Sequence, residues 1–286
     1  MRTAVLESVL SFVIAPGAIA LIDAIPAGAV AANGQSLTVR KGDGGDILNP
    51  WANNNVTGGL RILSSSTHGN RQNINLEAIA GVTMPLMGDV PNHVFANDTL
   101  QVSQYGSAVV GDIEQNIIPI WYPRVEGLNA NLLTKHEVIA YRANGLEQGK
   151  ENIALRIPVV TLATGQWSAG VPLSTLTGYS FKANRYYAVR GMSVTARCCA
   201  IAFRSTENAG VRTAVPGEPN NPRMTSRFFM DLSEEFGRAT VPIFNGSSLA
   251  DASVEVACNQ AGGGATFIVT LHATLLNIDF DPANLV

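Results

Sequence analysis

Residues able to do chemistry are few in this chain, and their spacing is poor for it. Four histidines (His68, His93, His136, His272) and three cysteines (Cys198, Cys199, Cys258) are the available soft ligands. A zinc site wants them in closely spaced pairs, and no such pairing occurs. Lys41-Gly42-Asp43-Gly44-Gly45-Asp46 puts two carboxylates in one glycine-rich stretch. Calcium takes about six or more oxygens, so this reads as a solvated turn. Glu234 and Glu235, beside Asp231, would make an acid pair for proton transfer. Set in Phe228-Phe229-Met230-Asp231-Leu232-Ser233-Glu234-Glu235-Phe236, they read instead as the wet edge of a strand end or short helical turn. His68 follows Ser64-Ser65-Ser66-Thr67 and could accept a hydroxyl proton, but nothing acidic is placed to orient it, and turn chemistry accounts for the segment. No GxxxxGK[ST] phosphate loop, GxSxG elbow or HExxH helix is present; Asn144-Gly145 to Gly149-Lys150 has the wrong spacing. Asn55, Asn97 and Asn245 head glycosylation-type triplets, which are incidental in an Asn-rich chain. The expectation is therefore no catalytic, cofactor-binding or metal-binding residue, and no enzyme.

Composition points the same way. The 286 residues are 46% hydrophobic and 14% charged, a balance that excludes a disordered chain. Net charge is -3, with 15 Arg but 4 Lys, so a nucleic-acid surface built on clustered bases is not expected. The 23 Asn make much of the polar surface neutral amide, as in proteins that present faces to neighbours. Three cysteines, two of them adjacent, imply no disulfide framework and suit a reducing cytoplasm, although a bridge from Cys198 or Cys199 to Cys258 stays open.

Residues 1–32 are nearly uncharged. They read as a short helix over residues 3–14, broken at Pro16, followed by an extended arm packed on its own domain or on a neighbouring subunit. A helix lying on a lipid surface, or a signal or spanning segment, are the competing readings. Beyond residue 33 the period is mostly two. Strands are expected at Ser36–Arg40, Leu60–Ser64, Asn73–Ala80, Leu100–Gln104, Ile117–Tyr122, His136–Arg142, Ile153–Leu162, Ala188–Phe203 with a bulge near Gly191, Ser226–Leu232 and Val241–Phe244. Ala252–Cys258 and Thr266–Ala273 read as a hairpin burying Val254, Val256, Cys258, Phe267, Val269 and Leu271, and a second hairpin is expected to link His136–Arg142 to Ile153–Leu162. Long loops at residues 41–57 and 205–224 join short strands, and residues 164–178 read as the boundary between halves. The domains are then 1–32 (arm), 33–164 and 165–286. Phe95 with Leu100 and Phe244 with Leu249 recur at an offset of 149 residues, a faint echo of duplication.

This pattern of two β-rich halves, an apolar arm, long loops and no catalytic motif resembles the double jelly-roll major capsid proteins of icosahedral, often membrane-containing bacterial viruses. The resemblance is one of architecture over residues 33–286 and carries no functional residue across. It implies an all-β fold of two jelly-roll sandwich or barrel domains, trimeric capsomers with pseudo-sixfold outlines, and assembly in the host cytoplasm into a virion. Partners would be further copies of the chain, other virion proteins and an inner lipid membrane reached by the arm. The alternative is a secreted carbohydrate-binding or adhesive β-sandwich using Trp51, Trp121 or Trp167, each of which reads first as core or interface. A β-rich hydrolase with a site of scattered residues is the third reading.

Overall fold

The computed structural model describes residues 3–14, 21–23, 38–53, 58–64, 74–78, 84–85, 92–105, 109–110, 113–143, 152–161, 167–218, 221–257 and 265–285. Their strands form four antiparallel sheets. One runs β7 (Met84–Pro85), β4 (Trp51–Asn53), β10 (Ile113–Tyr122), β3 (Gly45–Ile47), β8 (Asn92–Val94), with β1 (Val5–Ile14) along the free edge of β10. A second runs β2 (Leu21–Asp23), β9 (Leu100–Tyr105), β5 (Gly58–Ser64), β6 (Ile74–Ala78). A third runs β11 (Asn152–Val160), β18 (Thr266–Leu275), β13 (Tyr186–Val194), β16 (Ile243–Asn245). The fourth runs β12 (Val171–Pro172), β17 (Ser253–Ala257), β14 (Ala200–Arg204), β15 (Thr213–Pro216).

The same order is written twice. Counted one to eight along the chain, strands β11 to β18 lie as 1-8-3-6 and 2-7-4-5. In the other set β4 and β3 occupy successive stretches of β10, and β7 and β8 lie beyond them, so each pair acts as one interrupted strand. Read so, β1 to β10 also lie as 1-8-3-6 and 2-7-4-5. The echo at Phe95 and Phe244 falls at β8 and β16, both sixth in their sets, although Phe95 is exposed and Phe244 buried.

Local sequence explains these elements. In β11 buried and exposed residues alternate along the whole strand, so one face meets the core and the other water. Pro158 lacks the amide that a second neighbour would need, which suits β11 to the sheet edge. The expected bulge is present in β13, where pairing with β18 slips between Val189 and Gly191. The third and fourth sheets face each other across a core in which Tyr187 stacks on Phe244 at 5.1 Å and Phe203 of the opposite sheet lies 5.9 Å from Phe244.

Several expectations are corrected. Residues 3–14 are not a helix on an arm: β1 pairs with β10 over ten residues, and Val5, Leu6, Ser8, Val9 and Leu10 are buried. A strand covered on both faces loses its polar alternation, so its apolar run mimicked an arm. His136–Arg142 is not a strand but helix α1 (Lys135–Tyr141), started by a capping box in which the Thr134 hydroxyl accepts from the Glu137 amide while the Glu137 carboxylate accepts from the Thr134 amide. Ser226–Leu232 is likewise no strand: Ser226 and Arg227 form the turn between α2 (Pro222–Thr225) and α3 (Phe228–Phe236), and residues 228–232 open α3, which is closed by Gly237 at φ 62°. β17 and β18 bury Val254, Val256, Phe267, Val269 and Leu271 as expected but do not pair; they lie in opposite sheets with those side chains facing inward. β11, placed by sequence in the first half, is hydrogen-bonded to β18 along its length. Only residues 38–40 of the expected Ser36–Arg40 strand are described, and Thr38 makes a single bridge to Thr99.

Candidate functional site

Asp46, His93 and Trp121, singled out by sequence, lie at the seam between the two strand sets among residues that the sequence did not mark. Along the free edge of β1, the Ser8 amide donates to the Arg212 carbonyl at 2.8 Å, and the Ser8 hydroxyl accepts from the Ala214 amide at 2.9 Å. Asn208 and Thr213 donate to the Leu6 carbonyl. Asp46, buried in β3, accepts from Arg238 at 3.1 Å and lies 3.1 Å from His93 Nδ1. Arg238 in turn sits 4.8 Å above the Trp121 ring, whose Nε1 donates to the Ala239 carbonyl at 3.0 Å. Glu7 takes a two-pronged bond from Arg40, both contacts at 2.6 Å. The neighbouring Tyr122 hydroxyl is pushed well above its usual range, first by burial and then by Glu7.

The candidate acids are separately engaged. Asp43 pairs with Arg124, which holds its carboxyl below the usual range, while Asp46 is bound as above. Glu234 pairs with Lys135, Glu235 accepts from Asn49, and Asp231 accepts from Arg227 at 2.7 Å, so the three carboxylates do not act as a pair. Asn97 and Asn245 sit in hydrogen-bonded turns, with Asp98 and Asn245 each accepting from a nearby backbone amide. His136 is exposed on α1. His68, Asn55 and Cys258 lie outside the described residues. Cys198 and Cys199 are buried. Among the described residues no group of three or more His, Cys, Asp or Glu could hold a metal, and no helix is long and apolar enough to cross a membrane.

None of the tryptophans forms an open stacking platform. Trp51 and Trp167 are 6% and 7% exposed, and Trp121 is covered by Arg238. Trp51 packs edge-on to Phe228 beside a small cleft of about 40 Å³ lined also by Asn49, Met224, Asp231, Leu232 and Glu235. That volume suits a water or two, not a sugar ring.

Outward-facing apolar side chains are the more telling feature. Phe95 (52%), Val110 (77%) and Ile278 (72%) stand in solvent, together with Val109, Ile139 and Val160. Phe95 follows edge strand β8, and Val160 ends edge strand β11. Edges and loop tips carrying large apolar groups are where a second chain would bind.

One constellation was invisible in the sequence. Ser193 Oγ lies 2.9 Å from His272 Nε2, with Arg190 and Arg227 nearby. These residues come from β13, β18 and the turn before α3, and the register of distant strands brings them together. No carboxylate among the described residues orients His272, so the pair lacks the third member of a hydrolytic triad.

Neither a family model nor a curated protein sequence matches the chain. Among solved structures, similarity is found to the PBSX exported protein XepA, at 12% identity over 95% of this chain and 84% of that one, with a TM-score of 0.22. The STIV MCP aligns at 12% identity over 99% of both chains, TM-score 0.20. The major capsid protein P2 from Bacteriophage PM2 aligns at 7% identity over 96% of this chain and 100% of that one, TM-score 0.21. TM-scores of this size do not establish a shared fold.

Proposed function

We propose that the chain is a structural virion protein, a major capsid protein whose two strand sets are two jelly-roll domains and which self-assembles into an icosahedral shell. The observation that carries this reading is the strand order 1-8-3-6 with 2-7-4-5, occurring twice in one chain. That order is the sheet arrangement of an eight-stranded jelly roll. The split between domains falls in the connection 123–151, and β1 fastens the first domain to the second. Two like units per chain allow three chains to close a ring of six like units, so a trimer is the natural capsomer.

Further support comes from the surface. Among the described residues, six large apolar side chains face water in the isolated chain. Contact with neighbouring copies would remove them from it. The ion pairs at the seam serve cohesion of the chain itself, and the protein works as a building block with no turnover of its own. Other virion proteins are its remaining partners, and assembly takes place in the host cytoplasm. Negative-stain imaging of native particles or concentrated protein tests the reading. Closed shells or threefold capsomers with six-lobed outlines are expected, and single dispersed chains at every concentration would overturn it.

A further inference from the structure

Gly191 stands at the β13 bulge, where a Cβ would lie 2.2 Å from the Thr225 carbonyl oxygen and 2.9 Å from the Phe228 nitrogen. Only glycine lets the turn between α2 and α3 rest this closely on the sheet. That contact sets Arg227 above the outer face of the sheet, next to Arg190, and His272 stands directly across from Gly191 on β18. Ser193 Oγ and His272 Nε2 are 2.9 Å apart.

Charge in this cluster is lopsided. Arg190 is half-buried, its Nε is removed from water without a hydrogen-bond partner, and no carboxylate pairs with it among the described residues. Burial, then the charge of Arg227, hold its guanidinium below the ordinary range. Burial, then Arg190, hold the His272 imidazole below its own. Arg227 is bonded to Asp231 at 2.7 Å. Partly buried positive charge that the protein leaves uncompensated is the signature of a place where an anion sits.

We propose that Arg190, Arg227, Ser193 and His272 bind a phosphate group, either inorganic phosphate or the terminal phosphate of a small molecule. Guanidinium groups present planar forks of N–H donors that match phosphate oxygens, and the Ser193 hydroxyl adds a neutral donor. The donors approach from two strands and a helical turn, and so from several directions. A tetrahedral oxyanion satisfies such a set better than a planar carboxylate does. This assignment is independent of the shell reading and would hold for a monomer.

Isothermal titration of the full chain with inorganic phosphate, in phosphate-free buffer at constant ionic strength, tests it. Saturable binding is expected, weakened by about tenfold or more in Arg190→Gln and in Arg227→Gln, as loss of one charge-assisted contact implies. Arg142→Gln, at an exposed arginine after α1, should bind as wild type does. Without phosphate the Arg190→Gln denaturation midpoint should equal or exceed the wild-type value, because a like-charge contact has been relieved. Adding phosphate should then raise the midpoint of wild type but not of the variant. The assignment fails if phosphate produces no saturable heat, if Arg190→Gln binds it as wild type does, or if acetate binds equally well. A fall in the phosphate-free midpoint of Arg190→Gln would equally count against it, by showing that Arg190 is held by the protein alone.

Discussion

Removing β1 should unfold the protein. Deleting residues 1–14 takes away ten backbone pairs with β10 and exposes the seam at Arg212–Ala214. It also removes Val5, Leu6, Val9 and Leu10, all buried. Burying an aliphatic side chain of this size is worth about 1.5–3 kcal/mol, so the four together contribute about 6–12 kcal/mol. A whole domain is stable by only about 5–15 kcal/mol, and the loss is therefore comparable to the total. Urea titration followed by circular dichroism and by tryptophan fluorescence should show no cooperative transition in the truncated chain, or one displaced to very low denaturant. A milder companion is Ser8→Ala, which strips the Ala214 amide of its buried acceptor and should cost about 1–3 kcal/mol. A truncated chain that unfolds cooperatively at the wild-type midpoint would refute this placement of β1 and restore the detachable arm.

Val256→Asp and Val269→Asp each bury a carboxylate without a partner, in opposite sheets of one core, and each should lower the urea midpoint by the equivalent of several kcal/mol; midpoints unchanged in both would refute the core. Glu255→Gln leaves Arg204 and Arg212, bonded to its carboxylate at 3.2 and 2.7 Å, without their counter-charge, and should cost about 1–3 kcal/mol, as read from the same titration. His272 takes a proton less readily when folded than its free value of 6.5, so the unfolded chain binds more protons just below that pH. Stability from this group is present above that value and is lost as pH falls through the folded pKa. The slope of midpoint against pH in this window should be shallower in His272→Gln than in wild type, and equal slopes would refute the assignment.

All-β character was legible because β11, and β18 over most of its length, obey the rule of alternate burial, and the β13 bulge was legible in Gly191. What failed did so for identifiable reasons. β1 is buried on both faces, so its sequence shows no period. α1 carried its own signal in Thr134-Lys135-His136-Glu137, a capping box outweighed by the β-branched and aromatic residues nearby. α3 likewise spaces Phe228, Phe229, Leu232 and Phe236 on one side of a helix before Gly237, a pattern that a short apolar window confuses with a strand. The β17–β18 hairpin was misread because facing strands of two sheets and paired strands of one sheet bury the same alternate side chains. Pairing is decided by the connection, and periodicity does not report it. The Arg190 cluster had no local signal at all, since its members meet only through strand register.

The building-block account rests on self-association, and sedimentation velocity of the full chain at micromolar concentration measures that directly. The account predicts a trimer or larger closed assembly, with any 30.2 kDa species declining as concentration rises. A single monodisperse 30.2 kDa monomer across the whole concentration range would contradict it.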